Sequence, residues 1–104
     1  MKPLGIHNYY VYILTNPDRK VLYIGMTNSL ENRIAQHRAD AAGEKTTFAG
    51  KYNCIFIIYY EHYQYVNDAI AREKELKGWT RGKKDALING FNPAWEFLNN
   101  RLFQ

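Results

Sequence analysis

Cysteine is nearly absent: the chain of 104 residues holds one, Cys54. A lone thiol permits no intramolecular disulfide and excludes a zinc site built on clustered cysteines. Long apolar runs are missing too, and no stretch approaches the about 20 residues of a membrane-spanning helix. The first residues, MKPLGIHN, are too short and too polar for a secretory signal. A cytoplasmic protein is the expectation. Internal repeats and composition shifts that would mark a domain boundary are also lacking. What is present is 46% hydrophobic residues, enough for a core and against disorder. The length fits a single domain spanning residues 1–104. The formal net charge of +4, with a pI of about 9.2, is compatible with a nucleic-acid partner without requiring one. Nine tyrosines gather in the strand-like runs.

The remaining chain is organised around residues 21–37, VLYIGMTNSLENRIAQH. Val21 to Ile24 suit a pleated, half-buried strand. Gly25 is expected to end it, where positive φ or a close backbone approach is needed. Asn28 is placed to cap a helix over about Leu30 to Arg38, with Glu31 completing a capping box. Leu30, Arg33, Ile34 and His37 then share one helical face. A cation and an imidazole occupy a stripe that should be apolar, which marks a candidate site.

Before that stretch, Tyr9 to Leu14 read as a first strand, with Tyr10, Tyr12 and Leu14 on one face. The connector TNPDRK has the residues of a turn and favours an antiparallel hairpin. After it, Ala39 to Asn53 reads as a long, partly mobile loop. Cys54 to Tyr60 is apolar on both faces and reads as a central strand, with Cys54 inert. A second helix is expected over Val66 to Trp79, starting near Asn67 or Asp68, with the stripe Val66, Ala69, Ile70, Glu73, Leu76 and Lys77. Thr80 can cap a third, basic helix ending near Ile88 at Asn89-Gly90. Asn92-Pro93 is expected to start a last short helix, Pro93 at its first position. His7 and His62 have no partner pattern and read as structural or exposed.

Each polar residue has a plain structural explanation when taken singly. Tyr12 and Tyr23 suit strand cores, and Arg33 and His37 could snorkel outward. Glu73 could pair with Lys77 one turn on, worth only about 0.3 kcal/mol. Three polar groups on the inward stripes of two helices are better explained by one shared site, because a lone buried charge is expensive. Lys51, Arg72, Lys77, Arg81, Lys83 and Lys84 are candidate phosphate contacts. Their helical run, interleaved with acids, reads equally well as a solvated face.

The order strand, turn, strand, glycine, helix, with Tyr10-Val11-Tyr12 and then Tyr23-Ile24-Gly25, resembles the GIY-YIG nuclease superfamily. The first triplet has Tyr10 for glycine and Val11 for isoleucine; the second matches outright. Arg33 matches an arginine eight residues after the YIG glycine, and His37 a histidine one turn later. Ala69 and Glu73 match an alanine and a glutamate four residues apart, on the helix after the third strand. The tail, AREKELKGWTRGKKDALINGFNPAW, is similar to that of the small stand-alone bacterial members.

The resemblance implies an α/β fold of the α+β type, a three-stranded antiparallel sheet flanked by helices. It implies a divalent-metal-dependent endonuclease hydrolysing DNA phosphodiester bonds, in repair or recombination, with Tyr12, Tyr23, Arg33, His37 and Glu73 as catalytic residues. Glu73 would hold the metal, Mg²⁺ or Mn²⁺; one carboxylate suffices for an ion that keeps several waters. Arg33 would clamp the phosphate with its planar fork, and His37 would orient or neutralise nearby. Tyr12 and Tyr23 would activate or position water. A tyrosine titrates near 10, so a general-base role requires the ion or Arg33 to depress it. Two departures stand out: Met26 where some members carry lysine, and Asp85 where some carry asparagine. They keep open a second reading, a non-catalytic nucleic-acid-binding module of this fold acting with a partner. RNA as substrate is open as well. The chain shows no second DNA-binding domain, so selectivity for branched or otherwise structured DNA would come from a homodimer, a protein partner or the segment Ala39 to Asn53.

Overall fold

In the computed structural model, residues 8–103 are described; the lead-in of residues 1–7, His7 included, and residue 104 lie outside the described residues. Strands β1 (Tyr9–Thr15), β2 (Leu22–Thr27) and β3 (Phe56–Tyr63) form one antiparallel sheet in the order β2-β1-β3. The β1–β2 turn follows its local chemistry. Asn16 Oδ1 accepts from the N–H groups of Lys20 and Val21, and Arg19 takes the left-handed position at φ 62°.

Among the described residues five helices flank the sheet: α1 (Leu30–Ala42) and α2 (Phe48–Lys51) before β3, then α3 (Val66–Lys77), α4 (Arg81–Phe91) and α5 (Asn99–Leu102). Alternation along β1 sends its side chains to two cores. Tyr12 and Leu14 pack with Leu30, Ile34, Ala49, Ile57 and Leu98 on the α1 and α2 side. Val11 and Ile13 pack with Ile24, Ile58, Ala69, Leu76 and Ile88 under α3 and α4. The α+β architecture expected from the sequence is the one found. No helix among the described residues is long and apolar enough to cross a membrane.

Several local expectations are corrected. β1, not the third strand, is central. β3 sits at an edge yet stays apolar, because the C-terminal segment covers its backbone. Asn99 Oδ1 accepts from Ile57 N–H (2.8 Å), Leu98 N–H donates to Ile57 O (2.8 Å), and Asn92 Nδ2 donates to Ile58 O (3.0 Å). Over Ile57 and Ile58, where the edge groups are satisfied in this way, no charges are needed to protect the edge. β3 also begins at Phe56, two residues after Cys54.

β2 does not stop at Gly25 but runs through it to Thr27, with Gly25 opposite Tyr12. Ser29, not Asn28, caps α1, its hydroxyl accepting from Asn32 N–H at 3.4 Å, and the helix extends to Ala42. The segment Ala39 to Asn53 is built rather than loose. Asp40 accepts from the N–H and hydroxyl groups of both Thr46 and Thr47 at 2.8–2.9 Å. Thr47 in turn caps α2 through Gly50 N–H.

Helix α3 ends at Lys77, and Tyr65, not Asn67 or Asp68, precedes it. α4 continues past Asn89-Gly90 to Phe91, whose ring packs edge-on against Tyr59 and Tyr60. Pro93 opens no helix. Asn92 ties residues 92–96 into a turn by bonding Glu96 through both its carbonyl and its amide, and the last helix starts at Asn99.

Candidate active site

The β1–β2 register brings Tyr12 and Tyr23 to the same face of the sheet, diagonal to each other with ring centroids 6.3 Å apart. The Tyr12 ring is fully buried and runs beneath the backbone of Gly25. A Cβ at Gly25 would stand 2.5 Å from Tyr12 Oη, so the glycine is required by close approach, not by a positive φ. β2 therefore carries a glycine in mid-strand to let the hydroxyl pass.

Helix α1 lays Arg33 and His37 over that hydroxyl, one turn apart. Arg33 Nε–H donates to Tyr12 Oη at 3.4 Å, and Tyr12 Oη lies 3.4 Å from His37 Nε2. Arg33 Nη1 also donates to Gln36 Oε1 at 3.0 Å. His37 is buried, edge-on to the Tyr23 ring at 5.4 Å.

Burial sets the protonation states. It pushes the Tyr12 phenol up to about 12; the Arg33 hydrogen bond and charge pull downward, while Tyr23 and Glu73 add to the rise. The depressed tyrosine expected for a general base is not what forms here: Arg33 alone does not outweigh burial. His37 is shifted below its ordinary value by burial and then by the Arg33 cation. It is neutral at pH 7, and its accepting nitrogen can take the Tyr12 proton.

Glu73 comes from α3 on the other layer, and its charge reaches Tyr12 Oη. Its side chain is 18% exposed, and its carboxylate lies 3.5 Å from Nζ of Lys77, a side chain 55% exposed. Such a pair is worth about 0.5 kcal/mol and yields readily to a stronger cation. Among the described residues no three His, Cys, Asp or Glu side chains are grouped to cage a metal. One carboxylate suits a hard ion that keeps its waters and takes further oxygens from a phosphate.

The basic residues have partners of their own. Arg72 is held by Glu61 (2.9–3.2 Å) and Glu75 (2.6 Å), with its guanidinium over Trp79. Glu61 also accepts from the hydroxyls of Tyr59 and Tyr63. Arg81 bonds Asp85 and the carbonyls of Lys20 and Arg19, tying α4 to the β1–β2 turn. Lys83 lies over Trp79, Lys84 is half-buried on α4, and Lys51 sits over Tyr52 on α2. The structure thus assembles Tyr12, Tyr23, Arg33 and His37 in one cluster within the field of Glu73. The other basic residues lie apart from that cluster: Arg72 and Lys83 share Trp79, Arg81 sits at the β1–β2 turn, and Lys51 lies over Tyr52. His62 is exposed and bonds Asn8.

Sequence reasoning missed three contributors. Asp40 and Gly50 set the pose of α2, and Phe48 of α2 stacks on Tyr23 at 6.1 Å. The signal available was Asp40 followed by Thr46-Thr47, a carboxylate with two hydroxyl donors a short loop away.

Residues 8–86 match the family described as the GIY-YIG catalytic domain. The chain belongs to the GIY-YIG family. It is 37% identical over 82 residues to a UPF0213 protein of Bacillus pumilus, covering 79% of this chain and 80% of that one. A UPF0213 protein of Natronomonas pharaonis is 32% identical over 81 residues, 78% of this chain and 91% of that one. The solution NMR structure of a UPF0213 protein from Bacillus halodurans superposes with a TM-score of 0.53 at 27% identity, covering 86% of this chain and 90% of the other. This chain is thus a small GIY-YIG protein of UPF0213 type. The family is one of nucleases that generally use divalent metals; the names of these relatives specify no activity.

Proposed function

We propose that this GIY-YIG protein is a divalent-metal-dependent endonuclease that hydrolyses DNA phosphodiester bonds, with Tyr12, Tyr23, Arg33, His37 and Glu73 as its working groups. The observation that carries this reading is the Tyr12 hydroxyl, held between Arg33 and neutral His37 and within the field of Glu73.

Hydrolysis needs a proton removed from the attacking water, charge neutralised on the phosphoryl oxygens, and the leaving oxygen stabilised. Tyr12 serves as a hydroxyl rather than a phenolate. It takes the water proton as its own passes to His37 Nε2, so no free tyrosinate forms. At 3.4 Å the bond is long for this transfer, and catalytic contacts of this kind tighten when substrate binds. Arg33, anchored by Tyr12 and Gln36, offers a planar fork to the phosphate. Tyr23 packs beside both and positions water. Glu73 would hold the divalent ion, which when bound would neutralise phosphate charge and acidify its water. Lys77, paired with Glu73 at 3.5 Å, would then be free to meet the DNA backbone.

The test is cleavage of single-stranded, duplex and branched DNA with Mg²⁺ or Mn²⁺ against a chelator control. Metal-dependent cutting of at least one substrate is expected, with binding that weakens as salt rises. Salt-independent binding, with no cutting of any substrate, would reject the reading.

A further inference from the structure

Helix α2 presents rings to solvent beside the cluster. Phe48 and Tyr52 are 51% and 43% exposed, while Ala49 and Gly50 face inward. Phe48 stacks on Tyr23 with planes 22° apart and meets Tyr52 at 4.7 Å. Tyr23 in turn contacts His37 and lies near Tyr12. A continuous aromatic surface therefore leads from the proposed site outward, and Lys51 Nζ stands 5.5 Å over Tyr52 at its rim.

These rings are held firmly in place. Asp40 clamps Thr46 and Thr47, and Thr47 caps the helix. Gly50 lies so close to Asp40 that a Cβ would stand 1.9 Å from its Oδ2. Large apolar side chains pinned at the surface gain little from folding and a good deal from a ligand, because their ordering has already been settled. Two adjoining rings with an ammonium at one edge match a flat π-system followed by an anion. A nucleobase and its flanking phosphate have that shape and charge. Inside a duplex the base faces are covered by their own stack, so the base must be unpaired.

We propose that Phe48 and Tyr52 form a stacking subsite for one unpaired nucleobase flanking the scissile phosphate, with Lys51 on a neighbouring phosphate. The proposal rests on the nuclease reading above. It makes a strand that is unstacked next to the cut the preferred DNA.

The test compares a labelled oligothymidylate with an oligomer of equal length made only of abasic residues, which keeps every phosphate and lacks every base. Binding is measured without metal, so that nothing is cut. The parent is expected to bind the base-bearing strand about tenfold more tightly. Phe48→Ala and Tyr52→Ala are expected to close that gap while leaving affinity for the base-free strand unchanged; Phe48→Trp is expected to keep it. Should an alanine variant fail to fold, the two strands still decide on the parent alone. Equal affinity for both strands, in a protein that cuts DNA, overturns the subsite and leaves the nuclease reading standing. Failure to bind any strand at low salt overturns both. An oligouridylate arm identifies the backbone: a base preference confined to uridylate overturns the assignment to DNA.

Discussion

Gly25 has room for a hydrogen and nothing larger, because the Tyr12 hydroxyl passes 2.5 Å from the place a Cβ would take. The neighbour is fully buried, so it has nowhere to retreat. Gly25→Ala is expected to cost about 1–3 kcal/mol through overpacking. By shifting the hydroxyl it should lower cleavage on the order of a hundredfold. Thermal melts and turnover rates on the same preparation check both; parental values in each would mean that the close approach constrains nothing.

Arg33 is partly exposed, and its side chain bonds the neutral groups Tyr12 and Gln36 rather than a carboxylate. Arg33→Ala should therefore lose about 1 kcal/mol of stability or less. Its effect on cleavage should be far larger, on the order of 10²–10³-fold. Arg33→Lys keeps the charge without the fork and should recover little. Comparing melting temperature with single-turnover rate separates the two roles, and parental rates in both variants would rule out the clamp.

His37 must be neutral to accept the Tyr12 proton. Burial and the Arg33 cation lower its pKa, so the acid limb of kcat/KM should fall below pH 6.5, with a plateau through neutrality. The sign for stability follows. Just below pH 6.5 the unfolded chain binds a proton that folded His37 refuses, so stability falls as pH drops through that window. His37→Gln should remove the limb and slow cleavage about 10²–10⁴-fold. A limb centred above pH 7, or one that survives in the variant, would exclude the relay.

Asp40 is a positioning residue for α2. Asp40→Ala removes four hydrogen bonds from Thr46 and Thr47. Amide exchange at Thr46, Thr47 and Gly50 should accelerate while the sheet stays protected. The Thr47 N–H first, then Thr46 and the two hydroxyls, hold the carboxyl well below its usual 3.8. The clamp is thus complete at neutral pH and is lost only as pH falls through and below that range. Unchanged exchange in the variant would show that α2 holds itself.

The β1–β2 hairpin was legible because its determinants, Asn16, Pro17 and Asp18, are adjacent in the chain. The candidate cluster was legible because Arg33, His37 and Glu73 interrupt helical stripes that should be apolar. The edge position of β3 was not, since its cover comes from Asn99 and Asn92, 42 and 34 residues beyond the groups they bond. Helix α2 is one turn long and leaves no periodicity. Nor could the direction of the Tyr12 shift be read in advance: the nearby cation was visible in the stripe, but the depth of burial that outweighs it is a property of packing. Gly25 was recognised as special for a reason that only the register with Tyr12 decides.

The most direct measurement is a DNA cleavage time course with Mn²⁺ for the parent and Glu73→Gln, alongside a calorimetric Mn²⁺ titration of both. The substitution keeps the shape of Glu73 and removes the charge, and its partner Lys77 is exposed, so the fold should hold. Metal-dependent cleavage by the parent, with both cleavage and Mn²⁺ binding lost in Glu73→Gln and metal-free DNA binding retained, is the predicted result. Equal cleavage and equal metal affinity in the two proteins would contradict it.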